Sequence, residues 1–139
     1  MDGIITQYRR RVVLYKLSNP DNLLKSFDGE HFVAILWATD NTFGQKDRMQ
    51  VAAALIQSGC RYIVCGGVDC EQWHDDADLA WVGLDLDSSG NTPHVMTTWH
   101  TNEATEDVIW FAKNNPTFGE HDFKSLLVLV VGEDASRVE

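Results

Sequence analysis

At 139 residues, with 44% hydrophobic and 23% charged side chains, the chain can bury a core without disulfide or metal staples, and its composition is ordinary for a soluble globular protein. A formal net charge of −10 sets it against nucleic acid and anionic membrane surfaces, and no apolar run approaches the length of a transmembrane helix. Three cysteines, an odd count, point to free thiols in a reducing compartment. The arginines of MDGIITQYRRRVVLYKL stand behind a polar segment rather than ahead of an apolar one, which does not read as a signal peptide, so a cytoplasmic location is expected.

Residues 1–10 carry no usable period and read as a mobile arm. Arg11–Leu17 (RVVLYKL) reads as a strand, stopped by the turn signal Ser18-Asn19-Pro20-Asp21. Asn22–Phe27 is long enough for one helical turn, and Asp28-Gly29 makes another turn. His31–Ala38 (HFVAILWA) is almost continuously apolar, as expected of a central strand covered on both faces. A polar loop, Thr39-Asp40-Asn41-Thr42, follows. The next helix, Gly44–Ser58, gathers Met49, Ala52, Ala53 and Ile56 on one stripe, with Gly59 as its closing residue.

The stretch from Cys60 to Trp81 reads as a strand–turn–helix unit. Arg61–Cys65 (RYIVC) is a short apolar run of β-formers, and Gly66-Gly67 allows a sharp turn. Asp69 stands at a helix N-cap position with Gln72 at capping-box spacing. Behind it, Cys70, Trp73, Ala77, Ala80 and Trp81 form an apolar stripe. Asp87-Ser88-Ser89-Gly90-Asn91 is a loop, and His94–Trp99 (HVMTTW) reads as a strand. Thr101 or Asn102 caps a helix through Asn114, stopped by Asn115-Pro116. Ser125–Val131 (SLLVLVV) is the last buried strand, before a polar tail.

Four strands (31–38, 61–65, 94–99 and 125–131) thus alternate with three helices, and 11–17 adds an edge strand. Across residues 31–131 the alternation resembles the Rossmann-like or flavodoxin-like three-layer α/β sandwich, which implies a mainly parallel sheet in one domain over 11–132 with a tail at 133–139.

Open parallel sheets bind ligands outside the carboxyl ends of their strands. That rim would hold Thr39, Asp40 and Asn41, then Gly66, Gly67 and Asp69, then His100, Thr101 and Asn102, and finally Gly132, Glu133 and Asp134. Such a polar, acidic rim suits a sugar, an amine or a metal better than a bare phosphate. The Cys65-to-Asp69 turn lacks the GxGxxG and P-loop endings, and Asp69 and Glu71 oppose an anion there. Cys65, Cys70 and His74 form a C-x4-C-x3-H run without a fourth ligand, so no metal is assigned. No nucleophile elbow or other catalytic signature is present, and neither catalytic residue nor cofactor is assigned.

Charge distribution is the more informative signal. No Lys or Arg falls between Arg61 and Lys113, an interval holding ten acids and four of the five tryptophans. Glu71, His74, Asp75, Asp76 and Asp78 read as a solvated face of their helix, able to dock a basic protein. The leading expectation is a small acidic binding module that does no chemistry, of the immunity or antitoxin type that neutralises a basic partner. A second is a ligand-binding or hydrolytic enzyme for a nucleoside or sugar, its pocket lined by Asp40, Gly66, Gly67, Asp69 and His100. A third is a non-catalytic scaffold, with which a homo-oligomer is compatible.

Overall fold

The computed structural model describes residues 11–17, 31–114 and 125–132. The arm 1–10, the Asn22–Phe27 turn and the tail 133–139 lie outside the described residues. Five strands, β1 (Arg11–Leu17), β2 (Phe32–Ala38), β3 (Cys60–Gly67), β4 (Met96–His100) and β5 (Ser125–Val131), form one sheet in the order β1-β5-β2-β3-β4. Every neighbouring pair runs parallel. Between them lie α1 (Gln45–Gln57), α2 (Cys70–Asp87) and α3 (Thr105–Asn114). This is the α/β architecture of a Rossmann-like or flavodoxin-like three-layer sandwich.

The two sides of the sheet follow from strand alternation. Ala34, Leu36, Ile63, Cys65, Leu127 and Leu129 face α1 and α2, whereas Val33, Ile35, Tyr62, Val64, Leu126 and Val128 face α3. β2 and β5 lie inside the sheet with both faces covered, which is why they are unbroken apolar runs. Trp73 on α2 is the largest fully buried side chain and packs its ring 5.9 Å from that of Phe43. Burying one such side chain is worth roughly 3 kcal/mol, so Trp73 fixes how α2 sits on the sheet.

From β2 the chain steps outward through β3 to β4, then returns under the sheet through α3 to place β5 on the other side of β2. The reversal leaves the carboxyl ends of β2, β3 and β4 side by side, and the loops that leave them build the site.

Three local expectations are corrected. Gly66 belongs to β3 rather than to a turn, paired with Trp37 on one side and His100 on the other. Its lack of a side chain makes room for the Trp37 ring, since a Cβ there would stand 2.7 Å from it. The turn itself uses Gly67 (φ +81°), where a Cβ would meet the Ala38 carbonyl oxygen at 2.3 Å, and Asp69 (φ +57°). In that left-handed conformation Asp69 occupies the N-cap position of α2 without a side-chain capping bond, so the capping box is not made. Neither Thr101 nor Asn102 caps α3. Asn102 (φ +61°) completes a turn, and the helix starts after the Ala104 carbonyl, which accepts the N–H groups of Asp107 and Val108.

Candidate functional site

A cavity of about 730 Å³ opens at the carboxyl rim. Its wall comes from the end of β2 (Trp37 to Thr39), the β3–α2 turn, the first turn of α2 and the β4–α3 loop (Thr101 to Glu103). Each part is held by the backbone. The Thr39 N–H and hydroxyl both donate to the Val131 carbonyl, at 2.9 and 3.2 Å, which ties the β2 exit to β5. The Val68 N–H donates to the Ala38 carbonyl at 2.9 Å, which ties the β3–α2 turn to β2. Cys70 Sγ lies 3.7 Å from Thr101 Oγ1, joining α2 to the β4–α3 loop.

The lining is acidic and aromatic. Asp69, Glu71 and Glu103 contribute three carboxylates, Trp37 contributes its aromatic side chain, and among the described residues no Lys or Arg takes part. Such a lining favours a cation or a neutral polyhydroxylated group and repels phosphate. Of the described residues expected at the rim, Thr39, Gly67, Asp69, Thr101 and Asn102 line this cavity, while Asp40, Asn41, Gly66, His100 and Gly132 are not among its lining residues. Asp40 Oδ1 accepts the Thr42 N–H at 3.1 Å and its hydroxyl at 2.6 Å, closing its own loop. His100 is buried, bridging Thr98 Oγ1 (Nε2, 3.1 Å) and Glu103 Oε2 (Nδ1, 3.1 Å), with its ring 4.7 Å from that of Phe111. It positions Glu103 at the cavity from behind. Trp37 and Glu103 were not singled out from the sequence. Trp37 sits in an apolar run that looks like uniform core, and nothing local marks it as the residue beside the mouth.

Glu71 carries the acidic surface out of the cavity along α2, where Asp75 and Asp78 follow it at i, i+4 and i+7, all exposed. His74 lies between them, Nδ1 2.9 Å from Asp75 Oδ1 and Nε2 3.7 Å from Asp78 Oδ2, with its ring 4.5 Å from that of Trp99. The Thr97 hydroxyl donates to Asp78 Oδ1 at 2.8 Å, so the carboxylates of α2 and the ring of β4 form one surface. Trp99 is 45% exposed and sits on an edge strand of the sheet.

Asp76 leaves the expected solvated face. It is 4% exposed, and its carboxylate accepts Arg48 Nε at 2.5 Å and Gln45 Nε2 at 3.2 Å. Its charge is spent inside, locking α1 to α2. On the outer side of the same helix, Leu79, Val82 and Leu86 are exposed.

Among the described residues no cluster of three or more His, Cys, Asp or Glu side chains could hold a metal ion, and no helix is long and apolar enough to cross a membrane. Cys60, Cys65 and Cys70 are all free and buried. Burial pushes the Cys60 thiol up to about 12, against smaller lowering effects from backbone hydrogen bonds and Arg61, and burial raises Cys65 well above the usual thiol value. Neither of these two is a nucleophile at neutral pH.

No curated protein and no solved structure matches the chain. A family model does, over residues 12–139, and the chain therefore belongs to DUF7684, a domain of unknown function.

Proposed function

We propose that the chain is a protein-binding module that docks a basic partner on the surface running from the rim cavity along α2 to Trp99. The observation that carries this reading is the continuity of that surface. Asp69, Glu71 and Glu103 in the cavity pass into exposed Asp75 and Asp78, with Trp99 beside them. These five carboxylates, three of them in a cavity lined by no lysine or arginine among the described residues, suit cationic side chains, and a half-exposed tryptophan is the residue type that anchors them. The exposed Leu79, Val82 and Leu86 further along α2, flanked by Asp78, Asp85 and Asp87, suit a partner whose apolar residues are bordered by Lys or Arg. Neutralising a basic toxin or nuclease, as immunity-type proteins do, is the biological role that fits such a surface.

The test is capture by the immobilised chain from its native lysate at low and high salt, beside a Glu71→Lys/Asp75→Lys/Asp78→Lys variant. One stoichiometric basic protein, lost at high salt and absent from the variant, is the expected result. A partner retained undiminished by the variant would place the interface elsewhere.

A second reading has its own observation. The rim cavity is large enough for a small molecule, and Trp37 offers an aromatic surface beside hydrogen-bonding Thr39, Gln72 and Asn102. A sugar, a nucleoside or an organic amine fits that lining. A captured eluate with no partner, followed by saturable binding of such a ligand that Trp37→Ala abolishes, would favour it over the protein-binding reading.

A further inference from the structure

A second cavity, of about 460 Å³, lies away from the rim, where α1 ends, β3 begins and the 88–93 loop leaves α2. Arg61 lines it and is only 8% exposed. Its Nη1 donates to the carbonyls of Ile56 (3.1 Å) and Cys60 (2.8 Å), while Nε is buried without a hydrogen-bond partner. Among the described residues no carboxylate is ion-paired with it. In a chain of net charge −10, a cation is thus buried without an ion-pair partner among the described residues.

Burying a guanidinium without a counter-charge is costly, and burial indeed pulls the Arg61 pKa below its ordinary value. The Ile56 carbonyl, at the end of α1 that carries about half a negative charge, and the Cys60 carbonyl that opens β3 supply part of the compensation. They account for Nη1 alone. Among the other lining residues, the amides of Gln57 and Asn91 offer donors to an oxyanion, beside the Ser88 and Thr92 hydroxyls, which lie 2.7 Å apart, Ser88 Oγ donating to the Asp85 carbonyl at 3.2 Å. Ile56 and Leu84 add apolar wall for a short carbon skeleton.

We propose that this cavity binds a small molecule through a carboxylate or phosphate group that completes the environment of Arg61. The planar guanidinium is the side chain best suited to such oxyanions. Asp87, exposed at the mouth, opposes a second negative charge, so a carboxylate is favoured over a dianionic phosphate. This site is independent of the acidic surface proposed to dock a partner, and either can fail without the other.

The experiment is a melting titration of the full chain with glutarate, with inorganic phosphate and with sodium chloride at matched ionic strength. The expected result is a saturable rise in Tm with glutarate, a smaller one with phosphate, and none beyond the ionic-strength effect with chloride. Asn91→Ala and Thr92→Val should each weaken the apparent affinity several-fold, and Arg61→Lys roughly tenfold or more, since an ammonium cannot hold the Ile56 and Cys60 carbonyls and still present a donor to the cavity as the guanidinium does through Nη2. Lys46→Gln, which removes an exposed cation on α1, should change nothing. Arg61→Met should abolish the response. If that variant does not fold, Arg61→Lys and the two lining variants decide the matter. A rise no larger than that with chloride, or a saturable rise that survives undiminished in Asn91→Ala, Thr92→Val and Arg61→Lys, overturns the proposal.

Discussion

Asp76 illustrates how a single residue can carry opposite meanings in sequence and in structure. Its carboxylate is buried between α1 and α2 and held by Arg48 and Gln45. Truncating one member of such a pair leaves the other buried and unpaired, which costs more than the pair gains in the first place. Asp76→Ala should therefore lower unfolding stability by about 3 kcal/mol in denaturant titration. Arg48→Met in the same chain should restore much of the loss, because the stranded guanidinium is then gone. A loss below about 1 kcal/mol in the single variant would mean that the ion pair is solvated. The position of Asp76 was legible. Residues 73, 76, 77 and 80 fall at i, i+3, i+4 and i+7, so Asp76 shares the stripe of Trp73, Ala77 and Ala80. Its charge argued for the surface and its position for the core, and position won because Arg48 was waiting on another helix. That partner, 28 residues away, has no local signature.

At the scale of elements, β3 concentrates the features with a pH signature. Cys60 and Cys65 are wholly buried and kept protonated by desolvation. Below pH 9 a thiol such as Cys60 is protonated in both the folded and the unfolded chain, and contributes no pH dependence. Above pH 9 the unfolded chain releases that proton while the folded chain holds it until about 12, so stability falls as pH rises through this window. The slope is about 1.4 kcal/mol per pH unit for each such group. Burial raises Tyr62 as well, which steepens the fall above pH 10. Denaturation midpoints measured from pH 7 to 11 should thus decline beyond pH 9, and Cys60→Ala should flatten the decline. An unchanged profile in that variant would assign the alkaline loss to other groups. The strand's existence was legible from its β-branched and aromatic run, and so was the need for glycine at its end. Which glycine turns was not legible, because Gly66 is required by the ring of Trp37 from the neighbouring strand and Gly67 by the close approach of Ala38. For the same reason His100 could be placed near the rim from spacing alone, but not its pairing with Glu103 over Phe111.

For the whole molecule, the alternation of apolar runs and helices sufficed for the parallel three-layer class, because each strand's burial is written in its own residues. Strand order was not, since it depends on which edges the helices leave free. The same holds for charge: the interval without basic residues and the acids of α2 are visible in the sequence, and the fold adds the gathering of Glu103 with Asp69 and Glu71 at one cavity while it withdraws Asp76 into the interior. That gathering has a thermodynamic consequence which separates stability from binding. A net charge of −10, with Asp85 and Asp87 in the last turns of α2 against its negative end and no basic residue there, destabilises the compact state through like-charge repulsion. Salt shortens the reach of that repulsion to about 10 Å at 0.1 M and about half that at several times the concentration. The Tm should therefore rise by a few degrees between 20 and 300 mM sodium chloride (assay concentrations of roughly this order suffice, given the screening lengths), corresponding to about 1 kcal/mol. Association with a basic partner should change in the opposite sense, its on-rate falling steeply over the same range because steering is screened. Differential scanning fluorimetry and stopped-flow association on one salt series would read both. A Tm that fell with salt would mean that attractive pairs such as Arg48–Asp76, rather than repulsion among the exposed acids, dominate the field of this molecule.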